Sequence, residues 1–98
     1  MKKGELKTST IKALVETLKK YGAVRIAIFG SSARNERKEG SDIDILVDFS
    51  ERKSLFDLVR IEMELEETLG TEVDMLTRDS ISPYLIGGIE KEAVVVYG

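Results

Sequence analysis

Residues 29–34 read Phe-Gly-Ser-Ser-Ala-Arg and residues 40–47 read Gly-Ser-Asp-Ile-Asp-Ile-Leu-Val, and these two segments decide the fold. The first closes a nearly continuous, β-branched apolar run over residues 24–29, which predicts a strand covered on both faces. The second opens a run over residues 43–49 that predicts another strand. Between them, Ser31 to Lys38 is predicted to form a short helix.

A helical pattern precedes this central region. Apolar residues recur there at the spacing of one helix face, and they comprise Ile11, Leu14, Val15, Leu18 and Tyr21. Thr8 or Ser9 could cap the start of this helix, and Gly22 is expected to end it.

Three further elements and a long helix follow the central region. Ser54 and Asp57 have the spacing of a capping box, which opens the longest predicted helix, and Gly70 stops it. The remaining predicted elements are a strand over Glu72 to Leu76, a helix that starts at Ser82-Pro83 and runs toward Glu90, and a strand over Ala93 to Tyr97. The order αβαβαβαβ predicts an α/β (α+β) fold, with a small mixed sheet of about four strands flanked by helices. We expect one minimal domain over residues 1–98.

Composition excludes several classes of protein. No apolar run approaches the roughly 20 residues that span a bilayer, and the charged N-terminus does not have the pattern of a secretory signal, so a cytoplasmic protein is expected. The chain has no Cys and no His, which excludes thiolate metal sites and Ser-His-Asp or Cys-His nucleophile systems. The net charge of −3, without a basic face, argues against direct binding of duplex nucleic acid.

Asp42 and Asp44 are the first candidate site residues. They lie two apart at the start of a strand, so both carboxylates leave the same face of the sheet and can reach one cation or a pair. Such close carboxylates repel each other unless a cation lies between them, and Mg²⁺ suits oxygen ligands of this kind. Asp74 lies in the apolar run Val73 to Leu76, and if its strand pairs beside that of Asp44 then three carboxylates converge, as two-metal phosphoryl chemistry requires. Asp48 shares their face but lies farther along the strand, so we expect a solvated strand end.

Gly30 and Ser31 are candidates for a phosphate site. A strand ends there, glycine permits a tight turn, and the following helix would direct free N–H groups at an anion. Ser41 could hold the same phosphates or cap the strand. Taken singly, a Gly-Ser turn or an Asp-x-Asp pair more often has no role beyond the turn itself.

The combination of these motifs resembles the nucleotidyltransferase superfamily related to DNA polymerase β. Gly30-Ser31 after an apolar strand, Asp42-Ile43-Asp44 opening the next strand and Asp74 in a later strand carry the likeness. The chain is similar to the minimal single-domain branch, whose members are commonly the antitoxin of a HEPN-domain toxin. One departure is Asn35, where glycine commonly follows the arginine.

The resemblance implies specific roles for these residues. Gly30 and Ser31 would bind nucleotide phosphates, Asp42 and Asp44 would hold two Mg²⁺ ions, and Asp74 would complete the metal site and help deprotonate the acceptor. Arg34 could contact phosphate or acceptor, or could equally form a surface ion pair.

The implied activity is transfer of AMP from ATP to a hydroxyl, in this branch a tyrosine of the HEPN toxin, within a hetero-oligomer. The alternative is a non-catalytic nucleotide-binding antitoxin that neutralises its partner by occlusion. An enzyme is favoured because a pure binder gains nothing from the repulsion among three carboxylates. The dense glutamates Glu62, Glu64, Glu66 and Glu67 are expected to form a solvated helix face.

Overall fold

A computed structural model describes residues 8–30 and 42–98 of the chain. Along the chain the elements are helix α1 (Thr8–Lys20), strand β1 (Ala23–Phe29), strand β2 (Ile43–Phe49), helix α2 (Leu55–Leu69), strand β3 (Val73–Thr77), a 3₁₀ turn (Arg78–Ser80), helix α3 (Pro83–Glu92) and strand β4 (Val94–Tyr97). The predicted mixed α/β architecture is confirmed. The helix predicted from Ser31 to Lys38 lies outside the described residues. No described helix has both the length and the apolar character that a bilayer crossing needs.

The four strands form one mixed sheet in the order β3-β2-β1-β4. Strand β1 is antiparallel to both β2 and β4, whereas β2 and β3 run parallel. A parallel pair needs a crossover connection, and helix α2 provides it. The two edges of the sheet are therefore β3 and β4.

The core lies between one face of the sheet and the helices α1 and α2. Leu14 and Leu18 of α1 and Ile61 and Leu65 of α2 are essentially inaccessible to solvent. They pack against alternate strand residues, namely Ile26, Ile28, Ile43, Ile45, Val47, Val73 and Met75. Because side chains alternate along a strand, Asp44 and Asp74 project from the opposite face.

Local sequence determines most helix ends as predicted. The Ser54 hydroxyl accepts from the Asp57 amide while the Asp57 carboxylate accepts from the Ser54 amide, which completes the capping box. Gly70 ends α2 in the left-handed conformation with φ of 70°. Thr8 and Ser9 were predicted as caps, but both are already helical, since α1 extends further toward the N-terminus than its apolar stripe indicates.

Candidate active site

Asp44 and Asp74 lie side by side on the parallel pair of strands. Asp44 of β2 is in register with Asp74 of β3 and, on its other side, with Phe29 of β1. The condition for bringing Asp74 beside Asp44, that their strands pair, is therefore met. Neighbouring strands are about 4.8 Å apart, so the two carboxylates belong to one small polar surface. Asp44 is partly buried and Asp74 is exposed.

Gly30 brings the end of β1 into close contact with the Asp44 carboxylate. Its φ of 66° is in the left-handed region, which glycine adopts without a steric penalty. A Cβ atom added to Gly30 would lie 2.7 Å from Oδ2 of Asp44. Any larger residue would therefore displace the carboxylate, so glycine is required here both by the turn and by the neighbouring side chain.

Asp42 has a carboxylate neighbour that sequence reasoning missed. The Ile43 amide donates to the Glu72 carbonyl over 3.0 Å, so Asp42 and Glu72 precede the paired residues of β2 and β3. The hydrogen bond between Glu72 and Asp42, together with the negative charge of Asp42, raises the pKa of the Glu72 carboxyl. The signal was present in the sequence, because Glu72 stands two residues before Asp74 as Asp42 stands two before Asp44.

The carboxylates thus form two successive pairs at the amino-terminal ends of β2 and β3. Asp42 pairs with Glu72, and Asp44 pairs with Asp74. Within residues 8–30 and 42–98, no three carboxylates converge closely enough to hold a metal ion. The expected three-carboxylate convergence is therefore not seen in the described residues. The donor set nevertheless fits Mg²⁺, since every ligand is a hard carboxylate oxygen and Gly30 leaves the space beside Asp44 free of a side chain.

Three predicted site residues belong to the segment between β1 and β2. Ser31, Arg34 and Ser41 lie outside the described residues. Their assignment to the nucleotide phosphates therefore rests on the motif alone.

Asp48 proves to be structural rather than a solvated strand end. Nε of Arg78 lies 3.2 Å from its Oδ1, and the same guanidinium bonds to Glu90. Arg78 thereby links β2, the turn after β3 and helix α3 on the face that carries Asp44. The prediction of solvation was wrong because the partner is distant in sequence.

The dense glutamates of α2 were also wrongly predicted to form a solvated face. Glu66 accepts from the Val73 amide over 3.0 Å and Glu62 accepts from the Met75 amide over 3.2 Å. Glu64 accepts from the Tyr21 hydroxyl and from Lys20. Of the four, only Glu67 is exposed.

A cleft of about 560 Å³ lies at the opposite, carboxyl ends of β2 and β3. Its charged lining residues balance, with Arg52, Lys53 and Arg78 against Asp48, Glu51 and Asp79. It contains none of the predicted site residues, so the carboxylate pairs and Gly30 remain the candidate site.

Two named proteins are similar in sequence to this chain over most of its length. A Methanocaldococcus jannaschii protein, named provisionally as a protein adenylyltransferase, is 60% identical over 83 residues, which cover 85% of this chain and 89% of that protein. The protein adenylyltransferase MntA of Thermococcus cleftensis is 40% identical over 81 residues, covering 83% of this chain and 82% of the relative.

Solved structures share the fold. One, described provisionally as a minimal nucleotidyltransferase, is 37% identical with a TM-score of 0.78 and 88% of each chain covered. Another is the MNT antitoxin in complex with a tri-AMPylated HEPN toxin from Shewanella oneidensis, and the matched chain is 19% identical with a TM-score of 0.78, with 95% of this chain and 73% of that chain covered. At that identity the second likeness concerns the fold alone.

The family comparison agrees with the geometry of the site. Residues 10–96 match the family described as the nucleotidyltransferase domain. This range includes Gly30 and all four carboxylates of the two pairs. The chain therefore belongs to the nucleotidyltransferase domain family.

Proposed function

We propose that this chain is a protein adenylyltransferase that transfers AMP from ATP to a tyrosine hydroxyl of a HEPN-domain toxin and so acts as its antitoxin. The observation that carries the proposal is the in-register pair Asp44 and Asp74 beside the tight approach of Gly30, in a chain 40 to 60% identical to proteins named adenylyltransferases. The domain is proposed to act in the cytoplasm, within a hetero-oligomer with its partner.

The residues take distinct roles in this proposal. Asp42, Asp44 and Asp74 would hold Mg²⁺, which when bound supplies positive charge to the phosphates and the attacking oxygen. Gly30, Ser31 and Ser41, with Arg34, would bind the nucleotide phosphates. The exposed edge-strand position of Asp74 suits an acceptor that arrives from another protein.

Asp74 also accounts for the proton in the transfer. The acceptor oxygen forms a bond to the α-phosphorus of ATP, and the bond from that phosphorus to pyrophosphate breaks. Asp74 takes the proton from the acceptor hydroxyl and releases it to solvent. Asp44 lies on β2, which is paired with a strand on each side, so its carboxylate keeps its position beside Asp74 during the transfer.

The deciding experiment measures partner modification and partner neutralisation together. The HEPN protein would be co-expressed with the wild-type chain or with Asp74→Asn, its intact mass would be measured, and growth would be recorded. We expect added AMP and normal growth with the wild type, and neither with Asp74→Asn.

A matched control and the opposing outcome are available. Asp79→Asn removes one negative charge from an exposed residue just beyond β3, outside the carboxylate pairs, and should transfer AMP normally. Normal growth with Asp74→Asn and no added mass would instead establish neutralisation by occlusion.

A further inference from the structure

Helix α2 covers the outer edge of strand β3. β3 is an edge strand, so β2 bonds only one side of its backbone. Successive N–H groups alternate in direction, and the amides of Val73 and Met75 point away from β2. Unbonded edges of this kind leave a strand free to fray or to pair with another chain.

Two glutamates of α2 bond these outward amides. Oε2 of Glu66 accepts from the Val73 amide over 3.0 Å, and Oε2 of Glu62 accepts from the Met75 amide over 3.2 Å. The spacing matches, because four residues rise about 6 Å along a helix and two residues span about 6.6 Å of strand. Both glutamates are partly buried, so these are contacts formed within the fold.

The two bonds lie on either side of Asp74. Asp44 is held in a central strand by neighbours on both sides, whereas the Asp74 backbone is bonded within the sheet only toward β2. On the side of β3 that faces away from β2, the two glutamates provide backbone hydrogen bonds at the residues immediately before and after Asp74. A small shift of a catalytic group can cost about 100-fold in rate, so this support bears on function.

We propose that Glu62 and Glu66 are positioning residues that fix Asp74 beside Asp44 by bonding the amides of Val73 and Met75. This inference rests on the proposed function, since Asp74 needs a fixed place only if it takes part in transfer. The two glutamates themselves do not touch nucleotide or acceptor in this proposal.

The two glutamate–amide hydrogen bonds can be removed or preserved by the choice of substitution. Glu62→Met with Glu66→Met keeps side-chain length and helix propensity but removes both acceptor oxygens. Glu62→Gln with Glu66→Gln keeps an acceptor oxygen at each position. Glu67→Met is the matched control, because it changes an exposed glutamate of the same helix.

Transfer to the partner and amide exchange are measured on the full chain. For the double Met variant we expect kcat to fall on the order of 10- to 100-fold, as for loss of supporting contacts at a metal site, with KM for ATP within about twofold. Hydrogen exchange at Val73 and Met75 should accelerate. The double Gln variant should restore both, and Glu67→Met should match the wild type. Glu62→Met alone serves if the double variant does not fold.

Several results would overturn the inference. If the double Met variant has the wild-type kcat although its Val73 and Met75 amides exchange fast, the glutamates protect the edge of the sheet but do not position Asp74. An equal loss of kcat in the Gln and Met variants would show that charge, and not the bond, matters.

A failure of the proposed function would be recognised separately, as absence of transfer by the wild type. Calorimetric Mn²⁺ affinity then decides the positioning role: weaker binding in the Met variant that the Gln variant restores supports it. Equal affinity in all variants, or no Mn²⁺ binding by the wild type, overturns it.

Discussion

Gly30 and Gly70 have nearly the same backbone conformation in different surroundings. Their φ angles are 66° and 70°, so a side chain is strained at both positions. A Cβ on Gly30 would meet the Asp44 carboxylate at 2.7 Å, whereas one on Gly70 would meet nothing within 4 Å. The pair separates backbone strain from steric damage to the site.

Alanine at each glycine is the first prediction. Gly30→Ala and Gly70→Ala should both lower the free energy of unfolding by about 1 to 2 kcal/mol through strain. Only Gly30→Ala should also lose AMP transfer, since it displaces Asp44. Denaturant unfolding and partner mass measure the two effects, and equal transfer by both variants would contradict the role given to Gly30.

Glu64 provides a prediction about pH. Hydrogen bonds from Lys20 and then Tyr21 hold the pKa of the Glu64 carboxyl below its ordinary value. A depressed carboxyl pKa stabilises the fold above the unfolded value near 4.3 and loses that effect as pH falls through the folded value. Glu64→Gln should therefore unfold at lower temperature at pH 7 but differ less from the wild type near pH 2. Melting curves of Glu64→Gln and Glu67→Gln across that range compare the bonded and the exposed glutamate.

The placement of residues was predictable where a motif is local and unpredictable where a partner is remote. Alternation along β2 placed Asp42 and Asp44 on one face. The same alternation could not reveal that Arg78 approaches Asp48, because the ion pair depends on where the turn after β3 lies. Glu62 and Glu66 looked solvated for the same reason, since their partners are backbone amides of another element.

At the scale of elements, helices α2 and α3 share capped N-termini but differ in burial. Ser54 and Ser82 each accept a backbone amide at the start of their helix. Helix α2 buries Ile61 and Leu65, whereas α3 has no buried residue. α2 is therefore part of the cooperative core, and α3 is the element held by fewer contacts.

The loss of each cap should have a different consequence. Ser54→Ala should lower the global free energy of unfolding by about 1 kcal/mol, because α2 cannot open without exposing the core. Ser82→Ala should mainly accelerate hydrogen exchange within α3, with a smaller change in global stability. Thermal unfolding together with amide exchange tests the contrast, and an equal global loss in both variants would contradict it.

Element order was predictable because the periodicity changes clearly between helices and strands. Ser54, Asp57, Gly70 and Pro83 are local signals, and the helix ends follow them. The 3₁₀ turn at Arg78–Ser80 had no such signal, and it forms where the chain leaves β3 to reach α3. The start of α1 was misplaced since an apolar stripe marks only the packed part of a helix.

For the whole molecule, repulsion between the carboxylate pairs predicts how ligands change stability. A ligand that binds only the folded chain raises its stability by RT ln(1 + [L]/Kd). ATP with Mg²⁺ should therefore raise the melting temperature progressively with concentration, while ATP with EDTA should do far less.

The control for this thermal shift removes one carboxylate of the Asp44–Asp74 pair. Asp44→Asn relieves like-charge repulsion, so the free protein should be as stable as the wild type or slightly more stable, yet show little shift with Mg²⁺ and ATP. Full transfer by Asp44→Asn at ordinary Mg²⁺ would contradict the assignment of the site.

The parallel pairing of β2 with β3 also makes the site depend on a distant part of the chain. Asp44 precedes α2 in the chain, and Asp74 follows only after the whole crossover. The final elements, α3 and β4, come later still, and β4 joins the sheet on the far side of β1. A chain truncated before Glu72 would contain only Asp42 and Asp44 of the two pairs, whereas one truncated after the 3₁₀ turn contains all four carboxylates. Formation of both pairs would thus depend on closure of the crossover, a step in which β4 takes no part.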